Sequence, residues 1–174
     1  MDRPSGSARA SSPWTGIRQS KLALPNSAAT LKATTNEFLY ISLHFRGAEL
    51  KMKMTAPVTS FVEPGSGPFS EAIVTVSLYL PLEQQSDPPR PSESGVFIEE
   101  RAGMTVFVRS FDGFSSAQKN QEQLLTLASI LREEGKVFDE KVYYTASYNS
   151  PFKLLDRNNE VWLIQRHKAS KESE

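Results

Sequence analysis

A chain of 174 residues with 39% hydrophobic side chains can bury one core, and with no cysteine it has no disulfide, thiolate metal ligand or cysteine nucleophile. Net charge is zero, but residues 1–35 hold Arg3, Arg9, Arg18, Lys21 and Lys32 against Asp2, leaving 15 basic and 19 acidic residues beyond them. A mildly acidic body argues against nucleic acid as a partner. No run of about 18 apolar residues is available to span a membrane and no secretory core opens the chain, so a cytoplasmic protein is expected.

The first 35 residues, rich in Ser, Ala, Thr and Pro, follow neither the helical nor the strand period and are expected to form a disordered tail. Basic, Ser-rich and acid-poor, they loosely match a mitochondrial transit peptide, although Pro4, Pro13 and Pro25 interrupt any amphipathic helix. "NEFLYISLHFR", Asn36 to Arg46, fits a strand or a short helix equally. In "KMKMTAPVTSFVEPGSGPFSE", Lys51 to Glu71, an extended chain sends Met52 and Met54 to one face and Lys51 and Lys53 to the other. Pro57 marks an edge or a bend, and "EPGSGP" ends the strand.

Next, in "EAIVTVSLYLP", Val74, Val76, Leu78 and Leu80 alternate with Thr75, Ser77 and Tyr79, predicting a half-buried strand with an aliphatic inner face. After a Pro-rich loop, "VFIEERAGMTVFVRSF" reads as two antiparallel strands joined near Arg101 to Gly103. The period then changes. Ser115 or Ser116 can cap a helix whose Leu124, Leu127, Ala128 and Leu131 share one face, with Gly135 as its stop. "KVYYTASY" reads as a strand, "FKLLDRNNEVWLIQ" as a hairpin about a polar tip at Asp156 to Asn159, and residues 167–174 as a solvated tail. The fold class is α+β, a domain over 36–166 with one long amphipathic helix on antiparallel strands.

No base, nucleophile or phosphate cradle stands out, so no catalytic residue is named and no enzyme is expected. His44 and His167 are not at a ligand spacing from a second histidine, which argues against a protein-ligated metal. The pairs Glu99–Glu100 and Glu133–Glu134 point apart and read as solvated faces.

Together, "KMKMTAPVTSFVEPGSGPFSE", "VSLYLP", "DPPRP", "MTVFVRSFDGFSS", "YNSPFKLL" and "NNEVWLIQ" resemble the SOUL family of heme-binding proteins from about Leu50 to Gln165. The resemblance implies a curved antiparallel sheet or distorted barrel carrying two helices, built from two similar strand-helix-strand halves. Residues 1–49 hold no recognisable opening strand and helix beyond a remnant in "NEFLYI", so the first unit is expected to be incomplete and the N-terminal region replaced. No cofactor is required, but heme or another tetrapyrrole is implied as a possible ligand. A family histidine proposed as axial ligand falls in the replaced region, and His44 does not sit in a matching motif. Two roles stay open for the opening stretch. In one it walls a ligand groove, with Met52, Met54 and Val58 against a porphyrin and Lys51 or Lys53 on a propionate; in the other it is a core face.

Part of the family is associated with mitochondrial permeability and cell death, through a helix resembling those that bind Bcl-xL-type survival proteins. Here Leu127 and the segment "LREEGKVFD" would carry it, with Leu131, Gly135, Phe138 and Asp139 fitting the pattern. Glu134 stands where an apolar anchor is usual, and Lys136 where an acid is. The resemblance thus adds mitochondrial association to a cytoplasmic location.

Overall fold

The computed structural model describes residues 17–22, 44–45, 48–49, 55–66, 71–81, 84–88, 91, 95–150 and 152–167. Along the chain these form β1 (Ile17–Leu22), β2 (His44–Phe45), β3 (Ala48–Glu49), β4 (Val58–Glu63), β5 (Ile73–Ser77), β6 (Met104–Asp112), α1 (Ala117–Glu133), β7 (Tyr143–Ser147) and β8 (Asn158–Ile164). Six strands lie side by side as β1-β6-β8-β7-β4-β5, every pair antiparallel, while β2 and β3 pair separately. Among the described residues the curved sheet is not closed, and β1 and β5 are its edges. The α+β class expected from the sequence is the one found.

Alternation along the strands builds two apolar faces. Phe107, Phe111, Val161 and Leu163 leave on one side; Val106, Val108, Tyr144, Ala146 and Trp162 leave on the other. The helix α1 covers the first face. Leu127 and Leu131 are fully buried there, with Ala128 between them and Leu124 beside them. Both helix ends are the ones the sequence marks. The Ser116 side chain accepts from the Lys119 amide at 3.1 Å. At the other end Gly135 takes φ +64, and the amides of Gly135 and Lys136 return to the carbonyls of Arg132 and Leu131. That paired closure needs a left-handed residue, which glycine adopts without a Cβ clash.

Four expectations are corrected, each for a tertiary reason. First, residues 17–22 of the stretch without a period form a strand, whose backbone pairs with β6 from Ile17↔Arg109 to Leu22↔Met104. Main-chain bonding to an edge needs no side-chain alternation. Second, the strand expected before Arg101 does not form, and residues 96–103 run as an irregular strap. Third, the buried side of β5 is Thr75 and Ser77, while Val74 and Val76 are only half-buried; α1 packs on β6 and β8 and leaves this edge strand uncovered on its side. Fourth, the C-terminal hairpin is β7 with β8, and residues 152–157 form its turn. Arg157 donates from Nη1 to the carbonyls of Ser150 and Lys153, at 3.0 and 2.6 Å, which folds that segment back on itself.

Past the helix, Val137–Asp139 is docked on the end of β8. The Asp139 amide donates to Ile164 O and the Arg166 amide to Val137 O, at 2.8 and 2.9 Å. The Asp139 carboxylate accepts from the amides of Lys141 and Val142 and from the Arg166 guanidinium. Burial acts to raise the Asp139 carboxyl, but Arg166 and the two amides outweigh it, and its pKa lies below the ordinary value. The unfolded chain therefore takes up this proton at a higher pH than the folded one. The clamp's stability is complete above the ordinary carboxylate pKa and is lost as pH falls through the lower folded value. Asp139→Asn should cost about 1 kcal/mol at about pH 7, given that Arg166 is 58% exposed and screened. In denaturant titrations that difference should shrink as pH falls and disappear once it lies below the lowered folded value.

Candidate functional site

The face of the sheet away from α1 is lined by aromatic side chains. Phe61 and Tyr144 are cross-strand partners on β4 and β7, with ring centroids 4.9 Å apart and tilted by 41°. Tyr144 and Trp162, partners on β7 and β8, follow at 6.1 Å. Tilted contacts of this kind hold the rings at fixed angles. Behind them Glu160, 2% exposed, accepts from Trp162 Nε1 and Tyr148 Oη at 2.8 Å each and from Ser110 Oγ at 3.3 Å. Buried polar groups require such partners, so this network locks the aromatic row in place.

At the β4–β5 end the same face carries hydroxyls: Thr59, Thr75 and Ser77, all buried. The strap crosses here and turns Arg101 down onto them. Its Nη2 donates to Ser77 Oγ at 2.7 Å and its Nη1 to Thr59 Oγ1 at 3.5 Å, while the guanidinium stands 5.2 Å from the centre of the Tyr144 ring. Between strap and sheet lies a cavity of about 280 Å³, open on one side and lined by Phe61, Thr75, Tyr144 and the strap residues Glu99 to Ala102. Thr75 Oγ1 is buried without a hydrogen-bond partner at the wall of this cavity.

Burial pushes the Tyr144 phenol up, against the Arg101 charge and with the help of Glu99, Tyr79 and Glu63. Burial raises Tyr79 in the same way, with Arg101 opposing it. Both phenols therefore stay protonated at neutral pH and act as neutral hydrogen-bonding groups. The cavity offers two aromatic walls, a cation and a carboxylate rim, with a buried, unpartnered hydroxyl behind its wall. Such a set can bind a flat ring with a polar arm. Among the described residues no group of three or more His, Asp or Glu side chains could hold a metal ion.

The residues singled out from the sequence fall elsewhere. Lys51, Met52, Lys53 and Met54 lie outside the described residues. Val58 opens β4, half-buried, and by alternation shares the face of Val62 rather than that of Phe61. His44 belongs to β2, its backbone paired with Glu49. Leu127, Leu131 and Phe138 are together in the core under α1. Gly135 is the helix stop and Asp139 the β8 clamp, so the helix face assigned to a partner is packed on the sheet. Sequence reasoning missed Phe61, Thr75, Arg101 and Tyr144. The alternation of β5 had set Thr75 and Ser77 on one face, but only the fold shows that face covered.

The family model described as SOUL heme-binding protein matches residues 21–164. Heme-binding protein 2 of Homo sapiens is 81% identical over 126 residues, covering 72% of this chain and 62% of that protein. Heme-binding protein 2 of Mus musculus is 78% identical over 125 residues, 72% of this chain and 61% of the relative. Heme-binding protein 1 of Bos taurus is 34% identical over 116 residues, 67% of this chain and 60% of the relative. The chain thus spans about three fifths of the length of these curated relatives.

The unpartnered hydroxyl has a measurable consequence. Thr75→Val keeps the shape and removes a buried group with no partner, so stability in urea should hold or rise by about 1 kcal/mol. Thr59→Val, which takes an acceptor from Arg101, should instead lower it by a similar amount.

Proposed function

The chain belongs to the SOUL heme-binding protein family, and on that premise we propose that it is a non-enzymatic protein that binds heme or another tetrapyrrole. The observation that carries this reading is the cavity under the strap, where Phe61 and Tyr144 supply aromatic walls for a flat ring and Arg101 supplies a cation for an acid arm. Its volume of about 280 Å³ is below that of pockets enclosing drug-sized ligands, roughly 300–1,000 Å³. One ring and its arm enter, and the rest of the macrocycle lies across the open side. Binding of this kind is modest in affinity and does not depend on a histidine ligand.

Two finer roles compete. In the first, the protein promotes mitochondrial permeability transition and cell death by engaging a Bcl-xL-type survival protein through Leu127, Leu131, Gly135, Phe138 and Asp139. In the second, it is a cytoplasmic carrier or heme buffer without a partner protein. The burial of Leu127, Leu131 and Phe138 in one core cluster favours the carrier for the intact domain. The partner role is reserved for a state in which the helix has left the sheet, at the mitochondrial surface.

In a hemin titration followed by absorbance, wild type should show a weak, saturable Soret change that His44→Ala leaves intact. Arg101→Ala should weaken it several-fold by removing the cation from the cavity. A Soret band abolished by His44→Ala and indifferent to Arg101→Ala would overturn the site.

Calorimetry separates the two finer roles. Freeing Leu127, Leu131 and Phe138 costs on the order of 5 kcal/mol, since each buried side chain of this size is worth about 1.5–3 kcal/mol. A peptide of residues 124–139 should therefore bind Bcl-xL far more tightly than the intact domain, by about a thousandfold less the peptide's own ordering cost. Equal and tight binding by both would mean that the helix face is already free.

A further inference from the structure

Glu99 and Glu100 stand beside Arg101 on the strap and line the same cavity, yet the binding of a ring and its acid arm uses neither. Both are exposed, and among the described residues neither forms an ion pair with Arg101. The lip of the cavity therefore carries a cation and, next to it, two free carboxylates. A guanidinium has more N–H groups than Ser77, Thr59 and the Tyr79 phenol engage on Arg101, so donors remain for the two oxygens of one carboxylate.

The glutamates set the opposite condition. Burial is the main cause that raises the Tyr144 phenol, Arg101 opposes it, and the Glu99 charge adds to the rise, so the negative field of the strap reaches the aromatic wall. A first carboxylate entering the cavity offsets the Arg101 charge. A second on the same ligand meets Glu99 and Glu100 with no cation left to receive it, and like charges held close repel. Size sets a further limit. About 280 Å³ is less than a drug-sized ligand fills, and it admits one ring with its arm.

We propose that the cavity is a site for free aromatic monocarboxylates, a single flat ring with one acid arm, in which Arg101 selects for the first carboxylate and Glu99 and Glu100 select against a second. This specificity rests on the cavity being the ligand site. Its unit is the ring with its arm, not the macrocycle. Small aromatic monoacids are therefore ligands in their own right and compete with a tetrapyrrole for the same space, while a diacid on one ring is refused.

Three probes on the full chain test this: 3-phenylpropionate, its amide, and phenylsuccinate, which is the first probe with one more carboxylate. Affinities are read by NMR titration and by displacement in the hemin titration. The monoacid should bind about tenfold or more tightly than either of the others and should lower the hemin Soret change. In Arg101→Ala its advantage over the amide should vanish. In the double variant Glu99→Gln, Glu100→Gln the ratio of monoacid to diacid affinity should fall about tenfold. That variant should melt with wild type, since both positions are exposed and surface changes cost little. A general loss of structure weakens all three probes together and leaves the ratio alone. Equal binding of monoacid and diacid by wild type overturns the proposal, and so does a ratio that the double variant does not move. If 3-phenylpropionate neither binds nor displaces hemin while hemin binding still requires Arg101, the monoacid site is lost and the tetrapyrrole site stands. If hemin binding is indifferent to Arg101 as well, both are lost.

Discussion

Val161 and Trp162 are neighbours on β8, leave the sheet on opposite sides, and are 0% and 1% exposed. Antiparallel sheets commonly leave one face to water. Here the central strand is buried on both, and among the described residues one helix is available for two faces. The helix takes the side of Val161, where Phe107, Phe111 and Leu163 extend the apolar surface across β6 and β8. For the side of Trp162 the described chain supplies an irregular strap.

A strap has no regular backbone ladder, so side chains must hold it. Arg101 does so by satisfying hydroxyls of Thr59 and Ser77 that would otherwise be buried without a donor, and by lying against the Tyr144 ring. The same anchoring produces the cavity. A guanidinium is long, and a strap pinned at its tip stands off the sheet at Thr75, which is left without a partner. Cover and binding site are thus two results of one side chain, on a sheet face whose aromatic row is held by the buried carboxylate of Glu160.

The other end of the helix shows the converse. Leu131 and Phe138 pack in the core, Gly135 turns the chain between them, and Asp139 ties the segment to Arg166 beyond β8. A pattern that matches a partner-binding helix is here fully employed in folding. One set of side chains cannot fill the core and a partner's groove together, so any such role is coupled to local unfolding of this segment.

The linear chain alone specifies α1, from the Ser116 cap to the Gly135 stop, and which of its faces is apolar. A helix's caps are local in sequence and its stripe is read within two turns. It also determined that strands lie near 58–63, 73–77, 104–112 and 143–147, and it carried the family resemblance. Alternation, however, reports only that two faces differ, never which is covered. That is why Thr75 and Ser77, not Val74 and Val76, are the buried side of β5: Arg101 arrives from 24 residues beyond Ser77. Residues 96–100 have strand composition but became a strap, because Arg101 satisfies hydroxyls on the sheet face instead of adding a strand at its edge. Residues 152–155 have it too but became a turn, because Arg157 binds the carbonyls of Ser150 and Lys153. In each case an arginine chose a partner that only the assembled sheet or hairpin could place within reach.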